Sequence, residues 1–153
     1  MSLSYKQGCL IEGFKAGEVH VIGHQANCQN TMNSGVAKAV REAFPEAYEA
    51  DCATVRGDYS KLGGISTCIN NHGIIVNIYG QYNYGYDGIR YTDYDALKSG
   101  FECIARMLDH LGYEGKIGLP KLGCDRGGGD WNIVEGLIKE TLTEKYDVII
   151  YVR

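Results

Sequence analysis

The sequence predicts an α/β fold, a mixed sheet covered by helices. Short apolar, β-branched runs alternate along the chain with longer stretches of helical periodicity. The two most polar or glycine-rich loops each run from a strand into a helix, which is where α/β proteins bind ligands. The length of 153 residues suits one core and not two, so residues 1–153 are read as a single domain.

Each element has a local reason. Leu3–Lys6 reads as a short strand and Gly8-Cys9-Leu10 as a turn. Val19–Gly23 is a buried strand by its β-branched content, and the polar segment Gln25–Ser34 is a loop. A helix starts near Gly35, with Val36, Val40, Ala43, Phe44 and Ala47 on one stripe; Pro45 either ends it or opens a second helix. Gly64–Ile69 and Ile74–Tyr79 are strands joined by the hairpin signal Asn70-Asn71-His72-Gly73. Gln81–Tyr91 is a Tyr/Gly/Asn loop. Thr92 and Asp95 match a capping box for a helix whose buried face is Leu97, Phe101, Ile104, Ala105, Leu108 and Leu111, stopped by Gly112. Lys116–Leu119 is a strand ended by Pro120. Asp130 caps a last helix carrying Ile133, Val134, Leu137, Ile138 and Leu142, and Asp147–Val152 is the final strand.

Composition narrows the function classes. Apolar residues at 44% and charged residues at 22% exclude a disordered chain. The net charge of -4 and the lack of a basic stripe argue against duplex nucleic acid as a partner. A single small anion can still be held by backbone N–H groups. The six cysteines are widely spaced without a CxxC pair, so no metal site is expected; Cys68 and Cys103 read as small core residues. No segment reaches the ~20 apolar residues of a membrane span, and no basic stretch precedes an apolar run at the N-terminus. A cytoplasmic protein with reduced thiols is expected. Glycine is abundant, 21 against 2 prolines, and tyrosine outnumbers phenylalanine 12 to 3. Such a glycine excess points to close backbone approaches.

Two constellations can carry chemistry. The first runs from His24-Gln25-Ala26-Asn27-Cys28 through Asn33-Ser34-Gly35-Val36-Ala37. Its amides both donate and accept, which suits hydroxyl recognition, and a helix N-terminus offers unpaired N–H groups. It reads equally as a polar capping loop. The second is Leu119-Pro120-Lys121-Leu122-Gly123-Cys124-Asp125-Arg126-Gly127-Gly128-Gly129-Asp130-Trp131. It lacks both the GK[ST] of a Walker loop and a GxGxxG fingerprint, and it reads as a diphosphate cradle or as a flexible connector.

Together the two loops resemble the macro domain family, in particular its small stand-alone branch of ADP-ribose-1″-phosphate phosphatases, ADP-ribosyl-glutamate hydrolases and phage-type proteins. The resemblance spans nearly the whole chain in element order. It implies a three-layer α/β/α macro-domain-like fold with a central mixed sheet and an ADP-ribose cleft across its top. It implies that Asn27 meets the ribose distant from adenine, and that Ser34, Gly35 and Val36 line that ribose and any 1″-phosphate. It places the diphosphate on the N–H groups of Gly127, Gly128 and Gly129, in a wall shared with Gly123, Cys124 and Asp130, and adenine beside Cys9 and Leu10. The family commonly carries an Asp where Cys9 stands. His24 matches a His of the phosphatase and is expected to act as acid or base, or to orient the loop.

The hydrolase branch uses a Lys near the position of Gln81 and an Asp that falls, by count, on Gly127; Asp125 lies two residues earlier. The candidate catalytic residues are therefore His24, Asn27 and Asp125. Among the loop tyrosines, Tyr82 is the candidate to close over the ribose; a base-stacking platform would need more positive charge than Arg90 alone. The expected function is hydrolysis of ADP-ribose-1″-phosphate to ADP-ribose and phosphate by a monomer needing no cofactor. The alternatives are a non-catalytic ADP-ribose reader and a hydrolase that removes ADP-ribose from protein or nucleic acid.

Overall fold

Side-chain alternation along the strands decides where the cores lie. The computed structural model describes residues 1–153, and its elements follow in the order β1 (Leu3–Gln7), α1 (Leu10–Lys15), β2 (Val21–Asn27), α2 (Gly35–Ala43), α3 (Pro45–Cys52), β3 (Ile65–Asn70), β4 (Gly73–Gln81), α4 (Tyr94–Leu111), β5 (Ile117–Leu119), α5 (Trp131–Thr141) and β6 (Val148–Val152). One 3-10 turn, Tyr59–Lys61, precedes β3. The strands form a six-stranded sheet in the order β1-β6-β5-β2-β4-β3. Every neighbouring pair is parallel except the β3–β4 hairpin, so the sheet is mixed.

On β2 and β4, Val21, Val76 and Ile78 point to the face covered by α4 and α5, where Phe101, Ile104 and Ile138 meet them. Ile22 and Ile75 point the other way and pack with Phe14 of α1, Val40 of α2 and Ala47 of α3. The result is a three-layer α/β/α architecture. The buried face of α4 holds Leu97, Phe101, Ile104 and Leu108, but Leu111, the last residue of the helix, is exposed. Gly112 ends the helix in the left-handed region at φ 69°. The cap of α4 is Asp93, whose carboxylate accepts from Ala96 N–H, and not Thr92, which is buried. Asp130 caps α5 as the sequence suggests, accepting from Asn132 N–H. Pro45 opens α3 at its first turn, and Gly8-Cys9-Leu10 leads into the short helix α1.

Two helical glycines differ in their surroundings. A Cβ at Gly100 would stand 2.6 Å from Ile78 Cγ2, so α4 rests on β4 at a spot with no room for a side chain. At Gly136 of α5 a Cβ would meet nothing within 4 Å. Gly100→Ala is therefore expected to lower stability by about 1–3 kcal/mol through overpacking, and Gly136→Ala to raise it by about 0.5–1 kcal/mol through helix propensity. Urea unfolding of the two variants checks both signs.

Candidate functional site

A cleft opens at the C-terminal ends of β2, β4 and β5. Its walls are the end of β2, the start of α2, the 84–86 segment after β4 and the 120–127 segment after β5. It is an open cleft, continuous with solvent along its length, lined by both polar and apolar side chains.

The first wall is held rigid by its own polar groups. Asn27 Oδ1 accepts from Gln29 N–H (2.8 Å) and its Nδ2 donates to Thr31 Oγ1 (2.8 Å). Arg41 donates to Thr31 O and Asn33 Oδ1 while stacking on Tyr48. Asn30 and Met32 adopt left-handed φ values of 57° and 45°; such strain persists only where the surroundings enforce it. Gly35, at φ 58°, starts α2 after the extended Ser34, whose side chain makes no capping bond. The N–H groups of Gly35, Val36 and Ala37 find no partner in the protein, and the helix dipole adds partial positive charge there.

The second wall differs from expectation. Gly128 N–H is bonded to Asp125 O and Gly129 N–H to Gly123 O, so neither is free for an anion. The N–H groups without a protein partner lie earlier, from Gly123 to Gly127. Gly127 O accepts from the N–H groups of Tyr91 and Thr92, which ties this loop to the start of α4. A Cβ on Gly127 would stand 2.3 Å from Thr92 Oγ1, so no aspartate fits at the position where the hydrolase branch has one. The floor between the walls is an amide pair. Gln25 Nε2 donates to Gln81 Oε1 (2.6 Å) and Thr92 Oγ1 (3.0 Å), while Gln25 Oε1 is buried without a partner. The charged side chains lining the cleft are Lys121, Arg126 and Asp125.

Of the sequence candidates, the structure brings Asn27, Ser34, Gly35, Val36, Gly123, Asp125 and Gly127 to the cleft. His24 is not among them. β2 runs to Asn27 instead of stopping at His24, and side-chain parity then puts His24 on the α3 face with Ile22 and Ala26. It is 1% exposed. Its Nε2 donates to Asn77 Oδ1 (2.6 Å), since Asn77 Nδ2 is committed to Ala47 O and Ser66 Oγ. The chain continues through Ser66 Oγ and Tyr79 Oη to Asp51 Oδ1. Burial lowers the His24 imidazole below its ordinary range. An acid–base role in the cleft is thus replaced by a structural one.

Tyr82 also turns away: its hydroxyl donates to Gly57 O and its ring packs on Tyr59, so Tyr84 and Tyr86 face the cleft instead. Leu10 is core, and Cys9, half-buried, precedes α1 outside the cleft. Cys124 packs against the α4/α5 core with its thiol on Leu122 O, and Asp130 is spent as a cap. Gln25, Lys121 and Arg126 line the cleft from within the two sequence constellations without having been candidates, and Gln81 entered only as the position of the hydrolase lysine. Strand parity would have found Gln25 once β2 was extended to Asn27.

Comparison with known proteins gives the class and then the family. No protein-family model matches the chain. The macrodomain of Thermus aquaticus DarG superposes with a TM-score of 0.77 over 99% of this chain and 98% of that one, at 23% identity. Thermosipho africanus DarTG in complex with ADP-ribose gives a TM-score of 0.77 at 20% identity, over 100% of this chain and 42% of that one. The chain has the macrodomain fold. It is 31% identical over 155 residues to the 17.5 kDa protein of the tk-vs intergenic region of Enterobacteria phage T4, covering 98% of this chain and 96% of that protein. It belongs to the same family as that phage protein.

The buried His24 carries a pH signature. Its folded pKa lies below its unfolded value of about 6.5, so the unfolded chain binds the extra proton first. Its contribution to stability is full above that unfolded value and is lost as pH falls through the folded one. Urea midpoints at about pH 7.5 and about pH 5.5 are expected to differ more for the wild type than for His24→Gln, whatever the variant's absolute stability.

Proposed function

We propose that the cleft binds ADP-ribose and hydrolyses ADP-ribose-1″-phosphate to ADP-ribose and phosphate. The observation that carries this reading is the pair of unpaired N–H sets, residues 35–37 and residues 123–127, that border one cleft in a macrodomain fold. Backbone amides and a helix N-terminus suit a diphosphate and a terminal phosphate in a protein whose net charge is -4. The Thermosipho relative with this fold holds ADP-ribose. In this reading the terminal ribose lies against Asn27 and Ser34–Val36.

The chemistry uses the one carboxylate lining the cleft, Asp125. Water attacks the phosphorus, its proton passes to the Asp125 carboxylate, and the phosphorus–O1″ bond breaks. The departing O1″ takes up that proton to become the ribose hydroxyl. A route through a carboxylate at residue 127 is disfavoured, because Thr92 fills that space. A binding-only function is the second reading, favoured by the withdrawal of His24 from the cleft.

Calorimetry with ADP-ribose and phosphate release from ADP-ribose-1″-phosphate separate the two. Asp125→Asn is expected to lower turnover at least ~100-fold, the scale of general base catalysis, with ADP-ribose affinity kept within about 3-fold. ADP-ribose binding with no phosphate release by the wild type would make the protein a reader.

A further inference from the structure

The 120–127 wall holds two cations that lean in opposite directions from the end of β5. Lys121 Nζ leans toward β1 and α5, 6.0 Å from the ring centres of both Tyr5 and Trp131. Arg126 leans the other way, with its guanidinium carbon 4.2 Å from the centre of the Tyr86 ring on the segment after β4. Neither makes an ion pair. The sheet order β1-β6-β5-β2-β4-β3 therefore gives the cleft a direction. Lys121 leans to the β1 side, and Arg126 to the β4 side, where Tyr86 lines the same cleft as Asn27 and Ser34–Val36.

The Arg126–Tyr86 contact joins two walls of the cleft, the segment after β4 and the segment after β5. An exposed guanidinium on a ring is a weak partnership. A bidentate bond from the same group to a phosphate is a strong one. Arg126 is exposed and has no hydrogen bond to keep it in place.

We propose that Arg126 exchanges the Tyr86 ring for the 1″-phosphate and so selects the phosphorylated ligand over ADP-ribose, an inference that rests on the ADP-ribose reading of the cleft. With the phosphate absent, as after hydrolysis, the guanidinium returns to the ring and the preference is lost. The arrangement ties ligand choice to one side chain, while the backbone amides hold what the two ligands share.

The test measures affinity for ADP-ribose and for ADP-ribose-1″-phosphate in the wild type, Arg126→Gln and Arg126→Lys. Arg126→Gln is expected to weaken the phosphorylated ligand by about 10- to 100-fold, the scale of a charge-assisted hydrogen bond, and ADP-ribose by less than about 3-fold. Arg126→Lys is expected to recover part of the loss, keeping the charge without the fork. Equal weakening of both ligands would make Arg126 a diphosphate contact and overturn the proposal, as would no weakening of either. If the wild type binds neither ligand, the ADP-ribose reading itself fails and this inference falls with it.

Discussion

The parallel pairing of β2 with β4 is the constraint on which the cleft depends. Val21 pairs with Ile74 and the register holds to Ala26 and Tyr79, with a shift before Asn27 meets Gln81. Because successive side chains alternate between faces, this one register assigns every residue of both strands to a layer. Val21, Val76 and Ile78 go to the α4/α5 core, Ile22 and Ile75 to the other. The same parity sends Gln25 to the cleft floor against Gln81 and Thr92, and sends His24 under α3. A slip of one residue would exchange the two fates.

The α3 face shows how the sheet tolerates polar groups. His24, Asn77, Ser66, Tyr79 and Asp51 form one run of donors and acceptors, each passing a hydrogen bond to the next. Such chains are strengthened by mutual polarisation in a low-dielectric interior. They also fix geometry, since Asn77 reaches Ala47 O and so ties α3 to β4. The run ends on a buried carboxyl: burial raises Asp51 above its ordinary range, offset in part by Tyr79 and Lys61. Its second oxygen, Oδ2, has no partner.

Most of the fold was legible because its long elements are strongly periodic. The apolar stripe of α4 and the Asn70–Gly73 hairpin read directly from residue order. Helix α1 did not, because six residues carry too little period to be distinguished from a turn. The end of β2 was misplaced because Gln25 and Asn27 are polar strand residues, and composition alone assigns them to a loop. The two loops do border one cleft, and Asn27 and Ser34–Val36 line it. What residue order could not give was long-range: the Gln25–Gln81 bond spans 56 positions, and Gly128 and Gly129 spend their N–H groups inside their own loop. The Arg126–Tyr86 contact is of the same kind, since either residue alone reads as exposed surface.

The crowding of Gly127 against Thr92 bears on how the family can diversify. Thr92 is buried and bonded to Gln25 and Gly123, so it cannot yield alone. A Cβ at 127 would also stand 2.9 Å from the backbone oxygen of Gly123 and 3.0 Å from Gln25 Nε2, so a smaller residue 92 would relieve only part of the crowding. The glycine at 127 is thus kept by its packed neighbours as much as by any ligand.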